Sequence, residues 1–312
     1  MRYKRLGTAG MKVSVVGLGG NTFGRYADEA GTARIIHHAL DLGVNFFDTA
    51  DSYGQGVSEQ FVGKALADRR DRALIGTKVA MKMGEGPNDI GLSRYHIVAG
   101  VEASLRRLGT EYVDLLQVHR WDAETPLEET MRALDDLVRA GKVRYIGCSN
   151  FAGWQLVQAL WVSDRRGYAP FVSVQPRYSL LDRAIEAELL PACRAFGIGI
   201  IPYSPLAGGI LTGKYRGGAR PAGARGTDQE SGGFFQRQMS GKDEAAVDRL
   251  AEWAEAHDHT LGELAIAWLA SQPEVPTVIA GVTSPEQVED NVRAAAWELS
   301  GDEIGEVAAL VG

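Results

Sequence analysis

Eight short apolar runs rich in β-branched residues recur along the chain: VSVVGLGG, VNFFDTA, ALIGTKVA, YVDLLQVH, VRYIGCSN, FVSVQPRYS, GIGIIPYSPL and VPTVIAGVT. Segments of helical period separate most of them, among them DEAGTARIIHHALDLG, SRYHIVAGVEASLRRLG and TPLEETMRALDDLVRAG. A strand, a crossover helix and a second strand make a parallel pair, and eight such units are the number that closes a parallel sheet on itself. The rhythm therefore predicts an α/β fold, a (β/α)8 TIM barrel, with residues 1–312 forming one domain. An open doubly wound sheet is the competing arrangement. It is disfavoured because GLGGNTFG lacks the spaced G-x-G-x-x-G and an acid about 20 residues later, and no Walker A sequence is present.

Local punctuation agrees with the barrel. Thr125 with Glu128 fits a capping box, and Ser284 followed by Pro285 and Gln287 fits a capped helix start. Gly43, Gly109, Gly141 and Gly197 each fall where a helix should stop. The opening YKRLGTAGMKVS reads as a β-hairpin around Thr8 to Gly10 that closes the barrel floor. One stretch breaks the rhythm: residues 214–241, KYRGGARPAGARGTDQESGGFFQRQMSG, are rich in glycine and arginine and read as an active-site lid or a mobile insertion.

A hydrophobic fraction of 45% supplies ample core for such a barrel, and a net charge of -7 argues against a broad nucleic-acid-binding face. Cys148 and Cys193 make neither a CxxC nor a disulfide framework. Glycines break the N-terminal segment before a signal-like run develops, and no stretch of about 18 apolar residues occurs. The expectation is a cytoplasmic protein, without membrane or nucleic-acid partners and monomeric by default.

In a closed barrel, chemistry gathers where different strands end on one rim. Asp48 ends the second expected strand, Lys78 the third and His119 the fourth, while Tyr53 follows on the loop after Asp48. A phenol is a weak acid, and a neighbouring ammonium stabilises its phenolate; that ammonium in turn needs a carboxylate if it is buried. Asp48 would orient Lys78, Lys78 would bring the Tyr53 pKa down toward working range, and neutral His119 would donate to a substrate oxygen. Each residue alone has a structural alternative: Asp48 as a turn cap, Lys78 snorkelling to solvent, His119 pairing with Asp122. His37 with His38, and His257 with His259, lack the spacing of a ligand site, so no metal is expected.

The ordered pieces DTADSYGQGVSE, GTKV, VDLLQVH, RYIGCSNF, VQPRYSLLDR, PYSPLAGGILTGKY and VIAGVTSPEQVEDN resemble the aldo-keto reductase superfamily over nearly the whole chain. The branch they resemble most contains bacterial general-purpose reductases and potassium-channel β subunits. The resemblance implies a tetrad of Asp48, Tyr53, Lys78 and His119, with Tyr53 protonating the carbonyl oxygen of an aldehyde or ketone and NADPH as hydride donor. It also implies that Ser149, Asn150 and Gln175 hold the nicotinamide carboxamide and Tyr203 stacks on its ring, although Gln175 also reads as an ordinary interior polar residue. Ser204, Pro205, Leu206, Gly208 and Lys214 would follow the pyrophosphate. Gln287, Asp290 and Asn291 would meet adenine and ribose. Where many relatives carry a basic residue after the last strand this chain has Thr283, so Arg225 from the long loop is the expected 2′-phosphate partner, with NADH or dual use as the departure. Phe23, Tyr26, Met81, Arg120 and Trp121 on rim loops are expected to form the substrate cup. The same resemblance leaves an alternative, a cofactor-binding regulatory or sensor subunit with weak reductase activity.

Overall fold

The computed structural model describes residues 1–216 and 244–311. Arg225 and most of the 214–241 segment lie outside the described residues. The strands are β1 (Tyr3–Arg5), β2 (Lys12–Ser14), β3 (Val16–Gly19), β4 (Phe46–Asp48), β5 (Leu74–Val79), β6 (Val113–Val118), β7 (Val143–Ser149), β8 (Phe171–Gln175), β9 (Gly199–Ile200) and β10 (Val278–Gly281). The described helices are α1 (Glu29–Asp41), α2 (Val57–Leu66), α3 (Arg94–Leu108), α4 (Leu127–Arg139), α5 (Gly153–Arg166), α6 (Leu189–Phe196), α7 (Glu244–Glu255), α8 (Leu261–Ser271), α9 (Pro285–Ala294) and α10 (Gly301–Ala309).

Each of the eight apolar runs contributes one strand to a single sheet of order β10-β3-β4-β5-β6-β7-β8-β9, parallel throughout. The fold is the expected (β/α)8 barrel. Its thinnest seam lies beside β9, which spans two residues although the apolar run there is longer. Pro202 has no N–H to give a ladder, so the chain continues by isolated bridges. Tyr203 pairs in parallel with Ile279, whose N–H donates to the Pro202 carbonyl at 3.0 Å.

The antiparallel hairpin β1–β2 forms the floor. Its Leu6, Ala9 and Val13 pack into one cluster with Phe46, Leu115, Val172, Ile201 and Ile279, which the barrel strands and their immediate extensions contribute. Lys4 fastens the hairpin to the end of α8, donating to the carbonyls of Ala270, Gln272 and Val275 at 2.7, 3.1 and 3.1 Å. The turn depends on Gly7, whose φ is +55 and whose added Cβ would lie 2.2 Å from the Val172 carbonyl oxygen and 2.7 Å from the Gly199 nitrogen. Because both neighbours are backbone, nothing there can rotate aside. Gly7→Ala is expected to cost about 2–4 kcal/mol, read as a lower urea midpoint at unchanged slope.

Helix ends follow the sequence reading with two corrections. Gly43, Gly109, Gly141 and Gly197 all adopt positive φ where helices stop. The capping box at Thr125 does not form. Thr125 Oγ1 donates to Asp122 at 2.7 Å, Glu128 pairs with Arg166 at 2.9 Å, and α4 starts after Pro126 without a side-chain cap. Ser284 precedes α9 with Pro285 in its first turn but likewise makes no side-chain cap bond. Complete boxes occur instead at Thr260 with Glu263 and Ser300 with Glu303. Cys148 and Cys193 are both free and buried, and no helix among the described residues is long and apolar enough to cross a membrane.

Candidate active site

Three neighbouring strands carry polar side chains to the same end of the barrel, and a fourth group arrives from the loop after β4. Asp48 is the last residue of β4, and its register partner on β5 is Gly76, two residues before Lys78. Lys78 is fully buried rather than snorkelling, and Asp48 is 3% exposed. The ammonium spends its three donors at once: on Asp48 Oδ2 at 2.6 Å, on the Thr49 carbonyl at 2.9 Å and on Tyr53 Oη at 3.3 Å. Asp48 Oδ1 accepts from Gln175 Nε2 at 2.8 Å and from Gln117 Nε2 at 3.2 Å. The carboxylate is thus an anchor held by three donors, not a turn cap.

An ammonium can only donate, so the Tyr53 oxygen must accept from Lys78, and its own O–H remains free to donate. The proton stays on it. Burial raises the Tyr53 pKa above 10.0, and the Lys78 charge opposes that rise without cancelling it. This corrects the expectation that the ammonium brings the phenol down: Asp48 already engages the charge, and desolvation wins. Burial pulls the Lys78 pKa down, but Asp48 and Tyr53 together outweigh it and the net direction is upward, so the lysine is firmly cationic.

His119 follows β6 directly, its ring edge-on to Tyr53 with centroids 5.9 Å apart. Burial, then Lys78 and Arg120, lower it to about 3, so it is a neutral imidazole. It makes no pair with Asp122, which accepts instead from the Leu92 amide and Thr125. Its Nδ1 is buried without a partner, leaving the tautomer for a ligand to select.

A cleft of about 1280 Å³ opens onto Asp48, Tyr53 and His119. The same cleft is lined by Ser149, Asn150, Gln175, Tyr203, Ser204, Pro205, Leu206, Gly208, Lys214, Thr283, Gln287, Asp290 and Asn291. Asn150 is held by its amide, which donates to the His119 carbonyl and Ser149 Oγ at 3.0 Å each and accepts from Tyr203 Oη at 2.9 Å. Asn150 and Ser204 both have φ of 56, a conformation that costs energy in a non-glycine residue and clusters at ligand-holding walls. Gly208 and Gly209 turn the wall further with φ of 69 and 101, a backbone conformation that favours glycine, and Lys214 packs beside Gly209. At the other end Gln287 Oε1 accepts from the Thr283 amide at 2.8 Å. There Arg293 bridges Asp290 at 2.7 Å and Glu263 at 3.0 Å.

The expected substrate cup is only partly assembled. Tyr26 lines the cleft, whereas Phe23 is 2% exposed because the turn at Gly20–Thr22 directs it into the core. Met81, Arg120 and Trp121 are not among the lining residues. Trp121 packs edge-on against Phe151 and Trp154 at centroid distances of 5.3 and 5.6 Å, and Arg120 is exposed. Sequence reasoning passed over Gln117 and Arg293. Both carry a periodic signal: Gln117 lies two residues before His119 along a strand, and Arg293 three after Asp290 along a helix. Among the described residues no cluster of three or more His, Cys, Asp or Glu residues could hold a metal ion. His257 and His259 instead stack on Trp253 and Trp297, each at 3.8 Å.

The model of the aldo/keto reductase family matches residues 15–311. A probable voltage-gated potassium channel subunit beta from Arabidopsis thaliana is 40% identical over 299 residues, covering 94% of this chain and 91% of the relative. An uncharacterized oxidoreductase from Bacillus subtilis (strain 168) is 38% identical over 306 residues, covering 94% and 91%. Versiconal hemiacetal acetate reductase from Aspergillus parasiticus is 37% identical over 336 residues, covering 97% and 95%.

Proposed function

This chain belongs to the aldo/keto reductase family, and from that premise we propose that it reduces an aldehyde or ketone to an alcohol with NADPH, Tyr53 acting as general acid. The observation that carries the reading is the buried Asp48–Lys78–Tyr53 relay beside a neutral His119. A bound nicotinamide dinucleotide supplies the hydride; the protein's part is placement and the handling of oxygen charge. The cleft fits such a group, being larger than a small carbonyl needs and walled by a fixed amide at Asn150, the Tyr203 ring and the Lys214 side chain.

As negative charge grows on the carbonyl oxygen, Tyr53 Oη–H donates to it and gives up its proton. Lys78, 3.3 Å behind, stabilises the phenolate as it forms. His119, neutral and with no acid to hold it, donates a second hydrogen bond to the same oxygen. Asp48 and the two glutamines keep Lys78 from drifting toward solvent.

The choice of NADPH rests on the family resemblance, with Arg225 as the phosphate partner. A second reading, a cofactor-binding regulatory subunit that turns over weakly, is favoured by the similarity to proteins named as channel subunits. A panel of aldehydes and ketones assayed with NADPH and with NADH against a Tyr53→Phe blank separates the two. Oxidation above the blank with at least one carbonyl is the expected result. Tight dinucleotide binding with no oxidation above the blank selects the regulatory reading, and faster oxidation of NADH than NADPH overturns the cofactor assignment.

A further inference from the structure

Between Asp48 and Tyr53 the chain carries a second acid that the relay does not use. Asp51 is fully buried, and neither carboxylate oxygen has a hydrogen-bond partner. Its backbone N–H donates to the Lys78 carbonyl at 3.2 Å, fastening the loop to the strand that carries the ammonium. The charged groups that act on it are Glu59 on α2, Arg107 on α3 and Lys78 on β5. All three are committed elsewhere. Glu59 accepts from Thr77 Oγ1 at 2.5 Å and from Arg107 Nε at 2.6 Å, Arg107 Nη2 donates to Ser104 at 3.2 Å, and Lys78 is saturated by Asp48, Thr49 and Tyr53.

The loop has little room to relieve this. Gly54, Gln55 and Gly56 adopt φ of 57, 53 and 92 in succession, and a Cβ at Gly56 would lie 2.5 Å from Arg107 Cδ. A carboxylate buried without donors beside another carboxylate is costly, whereas the neutral acid carries no buried charge and costs far less. Burial first, and the Glu59 charge second, push Asp51 up to about 7. The Ser52 amide lies near enough to favour the ionised form but makes no well-directed bond and does not offset burial. His119 is held at about 3, and Tyr53 and Lys78 stand above 10.0 and 10.5, so of these four groups Asp51 is the one that changes charge around neutrality.

We propose that Asp51 is a positioning residue whose protonated carboxyl keeps the Tyr53 loop seated on Lys78, so that one proton buried behind the relay gates carbonyl protonation at its front. Ionisation puts a second negative charge beside Lys78, drawing the ammonium away from Tyr53, and tightens the hold of Tyr53 on its own proton. Both effects slow the acid step. The inference rests on the reductase reading for its catalytic half, and its structural half stands without it.

Asp51→Asn keeps the shape and removes the ionisation. A folded pKa above the unfolded one means that wild type loses stability relative to Asp51→Asn as pH rises from about 4 through about 7, and no further above that. Urea unfolding of the two proteins across that window reads this directly. A stability difference that does not change with pH overturns the proposal, whatever the protein catalyses. For catalysis, the single-turnover rate of wild type should fall about tenfold between about pH 6 and pH 8.5, while Asp51→Asn stays level. Glu59→Gln, which removes the like charge and leaves Asp51 in place, should move the wild-type midpoint to lower pH. If no carbonyl is reduced, amide exchange of residues 49–56 replaces the rate: wild type should open above about pH 7 relative to Asp51→Asn at the same pH. Linkage in stability with parallel rate or exchange profiles would make Asp51 a titrating structural acid and overturn the positioning role.

Discussion

Tyr53→Phe should lose about 10³-fold in the single-turnover rate of carbonyl reduction, the scale of removing a general acid, while dinucleotide affinity stays within about twofold. The phenol contributes one oxygen and one proton to the site, and the substitution removes only those. Ring volume and the edge-on contact with His119 are retained. Lys78 loses its longest hydrogen bond, at 3.3 Å, and keeps the bonds to Asp48 and Thr49 at 2.6 and 2.9 Å, so the fold should weaken by no more than about 1 kcal/mol. Stopped-flow oxidation of bound cofactor, fluorescence titration of the dinucleotide and urea unfolding, all on one preparation, test the three parts. Turnover near that of wild type would remove Tyr53 from the acid role. Parallel loss of binding and stability would mean that the phenol holds the cleft together rather than protonating a ligand.

The barrel was legible because its strands are buried on both faces and so read as continuous apolar runs, which helical segments of different period interrupt. The relay was legible for a related reason. Asp48, Lys78 and His119 are polar residues at the ends of such runs, where an apolar side chain would have served packing better. What stayed hidden depends on how side chains are placed in three dimensions, which spacing and composition do not carry. Thr125 and Glu128 have the spacing of a cap, but Asp122 and Arg166 claim them first. Phe23 has the composition of a rim aromatic, and a single turn decides that it faces inward. Asp51 reads as a polar loop residue, and only the closure of α2 and α3 over it shows that it is dry. The sign of the Tyr53 shift was missed on the same ground, since the ammonium is visible in GTKV but the depth of burial is not.

Lys78→Met carries the largest combined expectation, because the same change removes the phenolate-stabilising charge and strands a buried carboxylate. The lysine contribution is present at neutral pH: burial lowers its pKa, Asp48 and Tyr53 together more than restore it, and the folded value lies above 10.5, so the stabilisation is lost only as pH rises through that raised value. Methionine fills the space without a charge. Asp48 is left at 3% exposure with the amides of Gln117 and Gln175 as its side-chain donors, and the fold should lose about 3–5 kcal/mol. The reduction rate should fall by about 10³-fold, because the phenolate then forms in a dry site with no counter-ion. Asp48→Asn alone should retain more activity, since Lys78 keeps its bonds to Thr49 and Tyr53. The double variant Asp48→Asn/Lys78→Met separates structure from chemistry. With both charges gone no ion is buried unpaired, so urea stability should recover toward wild type while the rate remains at the Lys78→Met level. Recovery of both would reduce Lys78 to a structural partner of Asp48, and recovery of neither would show that the pair does more for the barrel rim than hold one charge against another.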